Sequence, residues 1–179
     1  DSHEKDYIDN FDELIADSYS DLKVAPSELK NECYGKGQNF TENDENVKKV
    51  TATSVSTIIS ASDLQLQCGN DSICIVPTWL TVEMNKNINV AALIVRGRVQ
   101  WTDKEQGSAE NMWLCAGYVA IEDGGNFHMD LSSAEEKNGY VFIKDNGLKH
   151  KDLGTRAFGA VGKSKASYIE ISGRPLRRT

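Results

Sequence analysis

No stretch of this chain approaches the ~20 consecutive apolar residues that a membrane-spanning helix needs. The longest, Val90–Val95, has the length of a strand. C-x-x-C pairs and Cys/His clusters are missing, which removes the usual zinc frameworks. So are G-x-S-x-G, H-E-x-x-H and the regular D-x-D-x-D-G spacing of a calcium loop. Gly162-Lys163-Ser164 ends a short glycine-containing stretch, but the glycine spacing of a phosphate loop is absent. No cofactor is expected. Histidine is scarce: His3, His128 and His150 are scattered, and a structural or solvated role outweighs that of a base. A surplus of positive charge is also lacking. Residues 1–60 carry 13 Asp/Glu against 6 Lys/Arg and so hold the whole formal charge of −7, while the remainder is balanced at 14 of each. Nucleic acid is therefore not an expected partner, and no membrane insertion is expected within this segment.

What the chain does have is four cysteines, Cys33, Cys68, Cys74 and Cys115. An even count without metal spacing suggests two disulfides, for which three connectivities exist. The preferred pairing is Cys68–Cys74, closing a small loop around Gly69–Ser72, with Cys33–Cys115. Two N-x-[ST] sequons, at Asn39 and Asn70, favour the same oxidising, secretory route and are the expected glycosylation sites.

The hydrophobic pattern changes along the chain. Ile8, Phe11, Leu14, Ile15, Tyr19 and Leu22 fall on one helical stripe, so Tyr7–Leu22 reads as an amphipathic helix with an acidic outer face. Residues 23–48 read as a polar loop. Val50–Ile59 is rich in β-branched residues and reads as a strand; Leu64–Cys68 alternates and reads as another. From Pro77 onward strand patterns follow one another, separated by Asp123–Asn126, Asn138-Gly139 and Asn146-Gly147 as turn signals. Eleven of fourteen glycines lie after residue 96, so backbone geometry matters most there. The expected fold is mostly β: a glycine-rich β-solenoid or β-sandwich-like domain with a short N-terminal α-helix. Residues 1–48 form an acidic helix-and-loop segment and 49–179 the β-rich domain. The expected core is Leu93, Val95, Val99, Leu114, Val119, Ile121, Phe127, Ile143, Phe158, Ile169 and Ile171.

Three fragments arrive in a recognisable order: LTVEMNKNINVAALIVRGRVQWTD, then MWLCAGYVAIEDGGNFHM, then GTRAFGAVGKSKASYIEISGRPLRRT. From about residue 73 this order resembles the G-eight (eight-glycine) extracellular domain, as in cell-migration-inducing and transmembrane hyaluronidases and fibrocystin. The tryptophan-containing entrance of that family is not clear before Ile73, and residues 1–72 match nothing in it. The resemblance implies a secreted or cell-surface module, here a fragment of a longer protein. It implies no catalytic residue, because the chemistry of the resembling hyaluronidases is expected outside this domain.

Three functions compete. The leading one is a non-catalytic extracellular module, structural or glycan-associated, with Trp79, Trp101, Trp113, Tyr118 and Tyr140 as aromatics that either stack on sugars or fill the core. The second is a self-associating filament subunit, whose acidic N-terminal segment meets the basic Arg174, Arg177 and Arg178 of a neighbour. The third is the N-terminal part of a glycan-degrading enzyme. For that, paired carboxylates are needed, and Glu122-Asp123, Asp130 and Glu135-Glu136 are present only as isolated acids.

Overall fold

The structure is a computed structural model that describes residues 27–33, 46–52, 56–133 and 137–174. The expected helix Tyr7–Leu22 lies outside them. The described part is mostly β, with two short helices and no closed barrel. Helix α1 (Ser27–Cys33) and strand β1 (Val47–Lys49) come first, then β2 (Ile58–Ser60) running directly into α2 (Ala61–Cys68). A first triplet follows: β3 (Ile73–Val76), β4 (Thr81–Glu83) and β5 (Ile88–Asn89). Next come β6 (Ala92–Val95), β7 (Arg98–Thr102) and β8 (Asn111–Ala116), then β9 (Val119–Glu122), β10 (Asn126–Asp130) and β11 (Asn138–Ile143). The chain finishes with a small hairpin, β12 (Lys149–His150) and β13 (Gly154–Thr155), and two last strands, β14 (Phe158–Val161) and β15 (Tyr168–Ser172).

Successive strands go to different sheets. The first sheet has the order β1-β3-β6-β9-β14, the second β2-β4-β7-β10-β15 and the third β5-β8-β11. Every pairing within these three is parallel. From β3 to β11 the chain thus visits first, second and third sheet in turn and then returns to the first. Side chains stack in straight columns as a result: Ile59, Val82, Val99, Phe127 and Ile169 occupy one rung position of the second sheet. Cys74, Leu93, Val119 and Phe158 do so in the first. These columns face one another in a single core with Trp101, Met112 and Leu114. Burying each large side chain contributes ~1.5–3 kcal/mol before chain entropy is counted.

The corner between first and second sheets explains two glycines. A Cβ on Gly97 would collide with the backbone carbonyls of Pro77 and Leu80 in the strand connection beneath it, and one on Gly125 with the carbonyl of Val95. The same corner is stitched by Gly97 N to Val76 O (3.1 Å), Asn126 N to Gly97 O (2.8 Å) and Tyr168 N to Gly125 O (3.0 Å). Each connection lies so close on the previous one that only a hydrogen fits between them.

Several sequence expectations are corrected. Leu64–Cys68 is helix α2, not a strand. Ser60 caps it, its hydroxyl accepting from Asp63 N while the Asp63 carboxylate accepts from Ser60 N, a reciprocal capping box. Val50–Ile59 is not one strand: β1 ends at Lys49, β2 begins at Ile58, and Val50 is a core residue. Asn138-Gly139 is no turn but the start of β11. Among the expected core residues Ile171 is 55% exposed. It continues the inward column Trp101–Met129, but β15 is the last strand of its sheet and no described residue covers it.

Candidate functional site

The outer faces of the three sheets have different fates. That of the third sheet is covered by α1. Leu29 and Cys33 pack on Trp113 and Cys115 with Tyr140 and Phe142 beside them. The indole of Trp113 donates to the Glu32 carboxylate (2.8 Å), and a disulfide joins Cys33 to Cys115. The free edge of this sheet is closed by α2, whose Gln65 side chain acts as a substitute strand: its amide oxygen accepts from Asn89 N (2.7 Å) and its NH2 donates to Asn89 O (3.0 Å). The second disulfide, Cys68–Cys74, ties the end of α2 to β3. At the far edge Lys144 reaches back to Asn89 Oδ1 (2.8 Å), and burial pushes its amine down to about 8 against the opposing charge of Asp71.

The first sheet is covered by the β12–β13 hairpin. Leu148, Leu153 and Ala157 close over Ile73, Ala92, Tyr118 and Ala120. Its anchor is polar. His150, 4% exposed, meets Glu122 (2.8 Å) through Nε2, while its Nδ1 accepts from Asp152 N (3.3 Å) and Leu153 N (3.2 Å). Arg96 donates to the other oxygen of Glu122 (3.1 Å). Burial pushes the Glu122 carboxyl up, but the hydrogen bonds from His150 and Arg96, with their charge, outweigh it and hold the group below the ordinary carboxylate range. A carboxyl whose folded pKa is depressed contributes stability that is full above the unfolded value, ~4.3, and is lost as pH falls through the folded one. Glu122→Ala is expected to cost about 3 kcal/mol at pH 7, by leaving His150 and Arg96 without their partner. Thermal melts of parent and variant should converge as pH is lowered toward 3; equal melts at pH 7 would refute the anchor.

The outer face of the second sheet is left open by the described residues, and it is polar. Its strands alternate: Val99, Trp101, Phe127 and Met129 point inward, their neighbours outward. Because the register is unshifted, the outward residues form rows across the strands. One row runs Ile58, Thr81, Arg98, Asn126, Tyr168. The next runs Ser60, Glu83, Gln100, His128, Glu170. A shorter third holds Thr102, Asp130 and Ser172. His128 Nδ1 lies 3.1 Å from the Glu170 carboxylate. Asp130 accepts from the Ser132 hydroxyl (2.6 Å) and backbone N–H (3.1 Å), which hold its carboxyl low. The Oδ1 of Asn126 is buried without a hydrogen-bond partner. Tyr168 is 60% exposed at one end of the face, and Trp79, 49% exposed, stands at the corner two residues before Thr81.

The sequence-derived candidates divide accordingly. The four cysteines form the two disulfides. Asn70 is exposed on the loop that Cys68–Cys74 closes, its side chain accepting from Gln65 (2.8 Å); Asn39 lies outside the described residues. Of the aromatics weighed for sugar stacking, Trp101, Trp113 and Tyr118 are buried and Tyr140 packs under α1, which leaves Trp79. Tyr168 was missed as an aromatic candidate; its signal was the alternation of Tyr168–Ile171. Among the acids, Glu122 is consumed by the hairpin anchor and Asp130 lies on the open face, whereas Glu135-Glu136, like His3, Arg177 and Arg178, lies outside the described residues. Both shifted carboxyls, Glu122 and Asp130, move downward, opposite to what a general acid requires. Lys163, of the Gly-Lys-Ser stretch, follows β14 and pairs with Asp152 (3.2 Å), with no helix start there. Among the described residues no group of three or more His, Cys, Asp or Glu is placed to hold a metal ion, and no helix is long and apolar enough to cross a membrane. Two disulfides are compatible with a secreted protein. Comparison with protein-family models, curated proteins and solved structures returns no match.

Proposed function

We propose that this chain is a non-catalytic extracellular module, a stacked β-solenoid of the kind the G-eight resemblance implies, that serves as a structural or glycan-associated part of a secreted or cell-surface protein. The observation that carries this reading is the regular succession of strands through three parallel sheets, with disulfides at the helices that close one of them. Its buried titratable groups support it too, since Glu122, His150 and Arg96 are committed to holding the hairpin. The test is incubation of the full chain with hyaluronan, chitin and a β-glucan, followed by measurement of new reducing ends and by peptide mapping of material purified from its native source. No bond cleavage, no free thiol and a glycan at Asn70 are expected. Turnover of any of the polysaccharides would overturn the non-catalytic reading, and free thiols the extracellular one.

A second reading, self-association into filaments, is favoured by a separate observation. Ile171, on the last strand of the second sheet, is 55% exposed, although Trp101 and Met129 in the same inward column are buried. Open sheet edges pair readily with a second copy, and head-to-tail contact of unlike ends propagates. Sedimentation at low salt should show mass rising with concentration; a monomer at the highest concentration attained rules this reading out.

A further inference from the structure

The two covered faces single out the third. α1 lies over one sheet and the β12–β13 hairpin over another, both sealed by apolar contact, while the second sheet presents rows of hydroxyl, amide and charged groups. Tyr168, 60% exposed, stands in line with those rows. Arg98, exposed, and the half-buried side chain of Gln100 have no partner among the described residues, and both stand in the outward rows. Rows repeat at the strand spacing of about 4.8 Å, so the face spans roughly 14 Å from β4 to β15 across three strand steps, with Tyr168 on β15 and the exposed Trp79 at the corner that leads into β4. This suits an extended chain of hydroxyl-bearing rings laid across the strands, with a ring stacked at each end and hydrogen bonds between.

The charge of the face selects among such chains. Glu83, Asp130 and Glu170 are three carboxylates against the one guanidinium of Arg98, with His128 already engaged by Glu170. The hydrogen bonds from Ser132 keep Asp130 ionised. A polyanion would meet net repulsion here. We propose that the outer face of the second sheet binds an uncharged polysaccharide, held by Tyr168 and Trp79 at its ends and by Arg98 and Gln100 between them, and that it discriminates against uronate-bearing and sulfated chains. This inference rests on the non-catalytic reading given above and names the ligand class of that module.

Affinity electrophoresis of the full chain tests it, with glycol chitin and a soluble β-glucan as uncharged probes and hyaluronan and heparin as anionic ones. Retardation by at least one uncharged probe and by neither anion is the expected result. Tyr168→Ala should weaken that retardation about tenfold, the size of a lost aromatic contact. Leu66→Ala, which alters an 85% exposed residue on α2 away from the face, should leave it unchanged. Both variants should melt with the parent. Retardation by the anions alone, by no probe, or equally by parent and Tyr168→Ala would overturn the proposal. A chain that binds none of the probes and cleaves none loses this inference and keeps the structural reading. A chain that cleaves one loses the structural reading first.

Discussion

Gly97→Ala is expected to prevent stable folding, or to cost about 4 kcal/mol or more, the range reserved for outright steric conflict. The added carbon would sit against two backbone carbonyls, those of Pro77 and Leu80, and neither is a flexible chain end that can swing aside. The Pro77 carbonyl also accepts from Leu80 N (3.0 Å), and the Leu80 carbonyl from Arg98 N (2.9 Å), so moving either breaks the connection that starts β4 or the rung that starts β7. Gly107→Ala is the matched control. Gly107 has a φ of 61° and open space around it. An alanine there meets only the left-handed backbone penalty, ~1–2 kcal/mol. Denaturant melts of the two variants should differ severalfold in lost stability. Similar losses would mean that the corner is not as tightly stacked as described.

The second large effect is expected from opening the Cys33–Cys115 disulfide. The sequence separation of its two cysteines is 82. Closing a loop of that size removes unfolded-state entropy equivalent to about 4.5 kcal/mol. Cys68–Cys74 spans a separation of only 6. For that loop the same relation gives about 2 kcal/mol. The double variant Cys33→Ala/Cys115→Ala should therefore lose about twice the stability of Cys68→Ala/Cys74→Ala. The larger loss should come with release of α1: fluorescence of Trp113, whose indole is held by Glu32, should shift toward that of a hydrated ring. If the short-loop variant proves the weaker of the two, α2 and not α1 is the fastening that matters.

Much of the core was legible because strands broadcast it. Val99 and Trp101 alternate with Gln100, and Phe127 and Met129 with His128, so inward and outward sets separate by inspection. What misled was the same alternation where another signal overrode it. Leu64-Gln65-Leu66-Gln67-Cys68 has period two, yet Ser60-Ala61-Ser62-Asp63 is a capping sequence, and the cap settles the segment as a helix that leaves Leu66 in solvent. Asn138-Gly139 has turn composition for a different reason. A Cβ at Gly139 would strike Met129, Leu131 and Trp101, so this glycine makes room for bulky neighbours within a strand. The β12–β13 hairpin was not anticipated, because Lys149–Thr155 is too short and polar to show a period. The open face itself was half visible. Each strand revealed its polar positions, but only the unshifted register brings Arg98, Asn126 and Tyr168 into one row, and register between strands tens of residues apart leaves no local trace.

The straight columns have a consequence for how such a chain can vary. Nineteen residues separate Ile73 from Ala92 directly above it, 26 separate Leu93 from Val119, and 39 separate Val119 from Phe158. The wall advances by one strand each time, whatever the length of chain consumed. The length of a connection and the stacking of the strands it joins are thus independent. The β12–β13 hairpin lengthens the connection between β11 and β14, yet β14 keeps its parallel register on β9. Because the chain consumed between stacked positions varies, from 19 to 39 residues, the sequence shows no repeat of constant period.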